Sequence, residues 1–321
     1  MREVLSAAVE GPLPKVLVIA NPSSGGGSTA RRIPEIERAL RRQGLEYQLA
    51  ATTRAGHASE IAASATARGI DVIAIVGGDG TLNEVAQAFM AKDGSAILGP
   101  DLAIIPSGSG GDFRKTLGLS GSIDEAVARI RHGQRRKCDL GVLELHDHDG
   151  KPIRHAFINI ASFGVGGLVD KIVNESPKWF GGKAAFFLGS LRATLQYKNA
   201  PVRIKVDGVP FYEGPIFNVA MCNGRFFGGG MKIAPHADLG DGRLEVVALG
   251  DLGKAEVMRL SQKIYAGAHL GEPGVTVGHG KVIEAEPLHA WAAVLLDVDG
   301  ETPGKLPVRA TLREGALTLR S

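Results

Sequence analysis

A strand, a glycine turn and a helix follow one another without a spacer over residues 71 to 89, and this succession limits the fold more than any other stretch of the chain. Asp71-Val72-Ile73-Ala74-Ile75-Val76 is an apolar, β-branched run of the kind found in strands covered on both faces. Leu82, Val85, Ala86 and Phe89 then recur at helical spacing. Between them lies Gly77-Gly78-Asp79-Gly80-Thr81. Its three glycines leave the backbone open to a phosphate, and the N–H groups of the new helix point at that anion. A phosphate would repel Asp79 unless a divalent cation lay between them, which points to a metal-nucleotide site.

The same succession occurs twice more. Lys15-Val16-Leu17-Val18-Ile19-Ala20 leads into Asn21-Pro22-Ser23-Ser24-Gly25-Gly26-Gly27, and Leu102-Ala103-Ile104-Ile105-Pro106 into Ser107-Gly108-Ser109-Gly110-Gly111-Asp112-Phe113. Ser28 or Thr29 is expected to cap a helix with Ile33, Ile36 and Leu40 on one face, Pro34 to make its start irregular, and Gly44 to end it. Leu45, Tyr47 and Leu49 alternate as a strand, and Thr52 to Gly56 leads into an alanine-rich helix ending near Gly69. Ser122 and Glu125 form a capping box for a helix reaching Gly133. Alternating strands and helices make an open parallel α/β sheet, whose ligands sit beyond the carboxyl ends of its strands. All three loops can therefore face one nucleotide.

From Cys138 the rhythm changes to short strands with Asp-Gly turns at Asp149-Gly150, Asp207-Gly208, Asp241-Gly242 and Asp299-Gly300, the mark of a second, mostly β domain. A helical insert is expected near Ser176 to Leu195, with Trp179, Phe180, Phe186, Phe187 and Leu191 apolar, and another helix over Lys254 to Ala268. Residues 1 to 14 show no periodicity and read as a loose leader. The expected division is an α/β domain over 1–137, a β-sandwich-like domain over 138–305, and a segment over 306–321 that is a candidate to return to the first domain. The 321 residues suffice for two cores, since single cores stop growing near roughly 250.

The net charge of +3 gives no argument for nucleic acid, and Arg31-Arg32, Arg41-Arg42 and Arg135-Arg136-Lys137 read first as solvated faces, second as contacts for anionic lipid. Cys138 and Cys222 lie in apolar strand-like runs, which points to reduced thiols and a cytoplasmic protein. Val16 to Ala20 is too short for a signal peptide. No run approaches the ~18 apolar residues that span a bilayer, so a lipid substrate would be met at the membrane surface.

Extended through Leu82-Asn83-Glu84, the central string resembles the signature of the diacylglycerol kinase catalytic-domain family, which includes sphingosine, ceramide and bacterial lipid kinases. Its core GGDGT also occurs in NAD kinases, with a relative in phosphofructokinases. Other stretches fit the lipid kinase family: Asn21-Pro22-Ser23-Ser24-Gly25 is similar to its N-P-x-S-G loop, and Pro106 to Phe113 to its P-x-G-T-G-N-D-F loop. Asn223-Gly224, Gly228-Gly229-Gly230 and Ala234 to Gly242 resemble its N-G, G-G-G and A-P-x-A-x-x-x-D-G segments, and Asp299-Gly300-Glu301 its D-G-E. Ser109 stands where threonine is usual, and Gly111 where asparagine is usual.

The resemblance implies an N-terminal open α/β domain of the NAD kinase and diacylglycerol kinase type, a C-terminal antiparallel β sandwich, and an active site in the cleft between them. It implies transfer of the ATP γ-phosphate, with Mg2+, to a hydroxyl of a membrane lipid, foremost diacylglycerol, by an enzyme peripheral at the inner membrane face. Asn21, Pro22, Ser23, Ser24, Gly25, Thr52, Gly78, Asp79, Gly80, Thr81, Leu82, Asn83, Glu84 and Ser109 would hold ATP, with Asp79 reaching the phosphates through magnesium and water. Glu301 would be the general base, and Asp238, Asp241 and the backbone of Arg243 would hold a second, structural magnesium. A homodimer through the β domain is compatible with the sequence but argued by no motif.

Plainer readings stand beside these. Asp241-Gly242 and Asp299-Gly300 are ordinary hairpin pairs, Asp112 can cap the helix it opens, and Trp179 with the phenylalanines after it can be core. The rival functions are a ceramide or sphingoid kinase, an NAD kinase sharing only Gly77 to Thr81, and a lipid-binding module with a decayed site, which the Gly111 change admits.

Overall fold

The structure, a computed structural model, describes residues 12–107, 111–175, 192–194, 196–289 and 293–321. Most of the leader, Ser109 and the aromatic stretch from Trp179 to Leu191 lie outside the described residues.

The α/β half comprises β1 (Val16–Ala20), α1 (Ser28–Arg42), β2 (Tyr47–Ala51), α2 (His57–Ala63), β3 (Val72–Gly77), α3 (Asp79–Gln87), β4 (Asp101–Pro106), α4 (Asp112–Thr116) and α5 (Ile123–His132). Strands β2, β1, β3 and β4 lie in that order, all parallel. Every residue of β1 and β3 is buried, because the pleat divides their side chains between two helix-covered faces. Leu17, Ile19, Ile73 and Ile75 pack with Leu82 and Val85 of α3. Val16, Val18, Val72 and Ala74 pack with Ile36 and Leu40 of α1 and Ile130 of α5.

Helix α1 departs from expectation at its start. It runs unbroken through Pro34, and its N-cap is Gly27 at φ 82°, with no side-chain cap. Thr29 instead forms a buried hydroxyl pair with Ser107 at 2.7 Å, tying the first glycine loop to the third. At α5 half of the expected capping box forms: Ser122 Oγ accepts the Glu125 N–H at 3.3 Å, while the Glu125 carboxylate accepts the Ser120 hydroxyl and the Ser122 N–H turns to Ser120 Oγ.

The β half comprises β5 (Arg135–His146), β6 (Pro152–Phe157), β7 (Ile160–Gly164), α6 (Val165–Glu175), β8 (Ala200–Val206), β9 (Val209–Ile216), β10 (Asn218–Cys222), β11 (Leu244–Leu249), α7 (Lys254–Ala266), β12 (Val275–Gly280), β13 (Val282–Pro287), β14 (Leu296–Val298) and β15 (Lys305–Arg320). Among the described residues β12, β11, β10, β7 and β14 form an antiparallel sheet. It packs on β5, β8, β13 and β15 through residues such as Phe157, Phe163, Met221, Val246 and Ala310, a sandwich of two sheets. Strand β15 pairs antiparallel with β5 and β13 and meets β4 in parallel at Leu319 and Leu102, so a single sheet continues through both halves.

Three of the four Asp-Gly pairs turn hairpins. Asp241-Gly242 does not; it leads from a loop into β11. Helix α6 was unexpected, because Gly166 and Gly167 in its first turn lower helix propensity. A Cβ on Gly166 would lie 2.7 Å from the Ser162 hydroxyl and one on Gly167 2.6 Å from the Leu295 carbonyl, so these glycines let the helix settle on β7 and β14. Cys138 and Cys222 are free and buried, and burial pushes both thiols up, away from the reactive thiolate.

Candidate active site

The carboxyl ends of β1, β3 and β4 bring the glycine loops together. Asn21 donates its N–H to the Val76 carbonyl at 3.0 Å, and its Oδ1 accepts the Ser23 N–H at 3.1 Å, folding Pro22 and Ser24 into a tight turn. Gly25, Gly26 and Gly27 follow at φ 60°, 65° and 82°, values that side-chain-bearing residues rarely adopt. Thr52 donates to the Ala20 carbonyl at 2.8 Å and so flanks Asn21. The central glycines divide in role. A Cβ on Gly77 would collide with the Thr81 side chain, so Gly77 serves packing, whereas Gly78 meets only Ser24 Oγ at 3.9 Å and Gly80 borders open space. Gly77, Gly78, Asp79, Ser107, Gly111 and Arg114 line a hollow of about 20 Å³ beyond the strand ends.

Asp79 is not a free carboxylate at this hollow. Its Oδ2 accepts the Asp112 N–H at 2.9 Å and its Oδ1 the Phe113 N–H at 3.4 Å, so it caps α4 and joins the central loop to the third. Burial raises its carboxyl above the usual range, against the pull of these donors.

Helix α3 carries the nucleotide motif into the β half. Buried Asn83 donates Nδ2 to the Ala156 carbonyl at 3.1 Å and to Asp299 Oδ2 at 2.9 Å. One turn on, Gln87 accepts the Ala156 N–H at 2.9 Å and donates to the Ala156 carbonyl at 2.8 Å. Asp299 also accepts the N–H groups of Ile158, Asn159 and Ile160 at 2.9, 3.2 and 2.8 Å. Asp299 and Gly300 have φ 51° and 91°, with Val298 and Glu301 paired across them, which makes a type I′ hairpin turn. The hairpin pair with the plain reading is thus also an anchor. Burial nevertheless pushes Asp299 up to about 6.

Glu301 follows two residues later. Desolvation of its carboxylate, and then the charge of Glu84, raise it above the ordinary range, although the residue as a whole is exposed. Glu84 is itself held by the Ala58 N–H at 3.2 Å. The structure thus brings Gly78 to Glu84 and Glu301 to one place. Sequence reasoning missed Asp299 as the link. Its signal lay in two quoted motifs, but the partners are 216 residues apart.

A second link crosses the cleft. Asp112 does not cap α4, whose N-cap is Gly111. Its Oδ2 accepts the Gly229 N–H and its Oδ1 the Lys115 ammonium, both at 2.7 Å, tying the third loop to the triple glycine. Below it Asn223 donates to the Asp139 and Ile158 carbonyls at 2.9 and 2.7 Å.

The residues expected to hold a structural magnesium are engaged otherwise. Asp238 Oδ1 accepts the Arg136 guanidinium at 2.7 Å, and Asp241 accepts the Arg243 N–H at 3.2 Å and its guanidinium at 2.9 Å. Among the described residues no three His, Cys, Asp or Glu side chains cluster to hold a metal. A larger groove of about 1070 Å³ opens elsewhere, on the sheet face of β5, β6, β8, β13 and β15. Its Arg154, Arg203 and Arg309 pair with Glu144, Glu286 and Glu284, and it lies apart from the glycine loops.

Glycine loops open to an anion, next to a carboxylate whose proton affinity is raised, are suited to phosphoryl transfer onto a hydroxyl. Residues 15–143 match the diacylglycerol kinase catalytic domain, and residues 159–321 the YegS C-terminal NAD kinase beta sandwich-like domain. A diacylglycerol kinase of Staphylococcus saprophyticus is 30% identical over 294 residues, 90% of each chain. The crystal structure of a diacylglycerol kinase from Bacillus anthracis superposes with a TM-score of 0.73 at 25% identity, covering 97% of this chain and 98% of that one. Yeast NADH kinase shares the fold, with a TM-score of 0.52 at 12% identity, covering 97% of this chain and 83% of its own. With both domains matched and the similarity running through nine-tenths of its length, the chain belongs to the diacylglycerol kinase family.

Proposed function

We propose that this lipid kinase transfers the γ-phosphoryl group of ATP to the free hydroxyl of diacylglycerol, giving phosphatidic acid. The observation that carries this reading is the hydrogen bond from Asn83 to Asp299, which sets the D-G-E hairpin with its base against the phosphate-binding helix. ATP use goes with the family. Asn21 to Gly25, Thr52, Gly78 to Glu84 and Ser109 hold the nucleotide.

Asp79 lines the hollow with hard oxygen donors that already accept two backbone N–H groups, so it would reach magnesium through ordered water, and the ion when bound would screen the phosphate charge. The Asp238 and Asp241 carboxylates, engaged by arginines, take no part in the transfer. Glu301 takes the acceptor's proton as the acceptor oxygen bonds to phosphorus and the bond from phosphorus to the ADP oxygen breaks. The burial and neighbouring charge that raise Glu301 make it a better base than a solvated carboxylate. Asp299 positions Glu301 through the two-residue turn. The acceptor resides in a bilayer, so the enzyme works at the inner membrane surface. No helix among the described residues is long and apolar enough to cross it.

The deciding experiment offers γ-labelled ATP and Mg2+ with diacylglycerol, ceramide or sphingosine in mixed micelles, and with NAD in solution. Label in diacylglycerol is expected. Label in another lipid would move the acceptor, label in NAD would move the enzyme to the rival class, and label in none would favour a decayed site. For Glu301→Gln, kcat should fall by about 100-fold or more with ATP affinity preserved; an unchanged kcat would remove Glu301 as the base.

A further inference from the structure

Position 111 departs from the family's usual asparagine, and a neighbouring side chain occupies the space beside it. Gly111 is buried at φ 127°. Arg114, in the same short helix, folds back over it, so that a Cβ on Gly111 would lie 3.2 Å from Arg114 Nε and 3.6 Å from its Nη2. Nη1 is fixed by donation to the Leu119 carbonyl at 2.8 Å, which leaves the Nε and Nη2 edge over Gly111. Arg114 makes no salt bridge among the described residues, although it lines the hollow with Gly77, Gly78, Asp79 and Ser107.

A second cation stands close behind it. Arg129 of α5 has Nη2 buried without a hydrogen-bond partner among the described residues. Burial disfavours its protonated form, the charge of Glu125 opposes this, and the charge of Arg114 adds a smaller push in the same direction as burial. Glu125 answers the charge of Arg129, whereas no carboxylate among the described residues pairs with Arg114, and a guanidinium edge matches the oxygens of a phosphate.

We propose that Arg114 is a phosphate ligand of this kinase: its Nε and Nη2 edge binds an oxygen of the nucleotide's phosphate tail, in the place that a longer side chain at position 111 would fill. This rests on the lipid kinase reading for the identity of the ligand, a nucleoside triphosphate, whereas the site itself requires only a chain of phosphates.

The test measures binding of ATP, inorganic tripolyphosphate and adenosine to the wild-type chain, Arg114→Ala and Arg114→Lys, together with thermal midpoints and turnover. Arg114→Ala should weaken ATP and tripolyphosphate by about 10- to 100-fold, the scale of a charge-assisted hydrogen bond, and leave adenosine unchanged. Arg114→Lys should recover only part of the loss, because an ammonium lacks the fork. Wild-type affinity for ATP and tripolyphosphate in Arg114→Ala would overturn the proposal. So would an equal loss of all three ligands with a lowered midpoint, since Arg114 would then only brace the Leu119 turn. Arg114-dependent tripolyphosphate binding without phosphoryl transfer to any lipid would retire the proposed reaction and keep this site. A wild-type chain that binds no phosphate chain would retire both.

Discussion

At the scale of single residues, two aspartates do work that their neighbours' motifs do not advertise. Asp79 holds the first N–H groups of α4 as well as lining the hollow at the strand ends. Asp79→Ala should therefore abolish turnover and also lower stability by about 1 kcal/mol, the cost of a lost cap, as read by kcat and by denaturant unfolding. Near-normal turnover in that variant would sink the phosphate-site assignment. Asp299 predicts a pH effect of defined sign. It titrates near ~3.9 when unfolded and near 6 in the folded chain, so the folded state holds the proton more tightly. Its contribution to stability is full below pH ~4 and is lost as pH rises through 6. Between pH 4 and 6.5 the thermal midpoint of Asp299→Asn should fall less than that of the wild-type chain; parallel curves would refute the raised carboxyl. Glu301, also raised, should give kcat/KM an ascending limb with pH that Glu301→Gln lacks.

At the scale of elements, the glycines of the central turn separate packing from binding. Gly77→Ala drives a methyl into Thr81 and should cost about 1–3 kcal/mol in unfolding measurements. Gly80→Ala meets nothing and sits in a helix, so it should leave stability equal or raise it by up to ~1 kcal/mol while weakening nucleotide binding. Loss of stability without loss of binding in Gly80→Ala would contradict the phosphate role. The three strand-loop-helix units were legible because a strand covered on both faces reads as an unbroken apolar run. What escaped the sequence depends on partners distant along the chain. Thr29 leaves the α1 cap for Ser107, Asp299 finds its donors on α3 and between β6 and β7, and α6 forms despite two glycines because β7 and β14 approach closely there. Local spacing contains none of those contacts.

At the scale of the molecule, β15 makes the two halves one body. Leu319, buried beside Leu102, lies at the point where the sheet passes from one half to the other. Leu319→Ala should cost about 2–5 kcal/mol and lower the midpoint of the whole protein, seen as one calorimetric transition that shifts without splitting. Two separate transitions would show that the halves fold independently. The shared strand also orders assembly in time. Its pairing with β4 joins positions roughly 200 residues apart, so closing that loop is entropically late and slow. Until it closes, β4 presents an unpaired edge open to mispairing with other chains. A chain built this way has no stage at which its α/β half is finished and waiting; the glycine-loop hollow and the carboxylate that faces it from the β half come into being together.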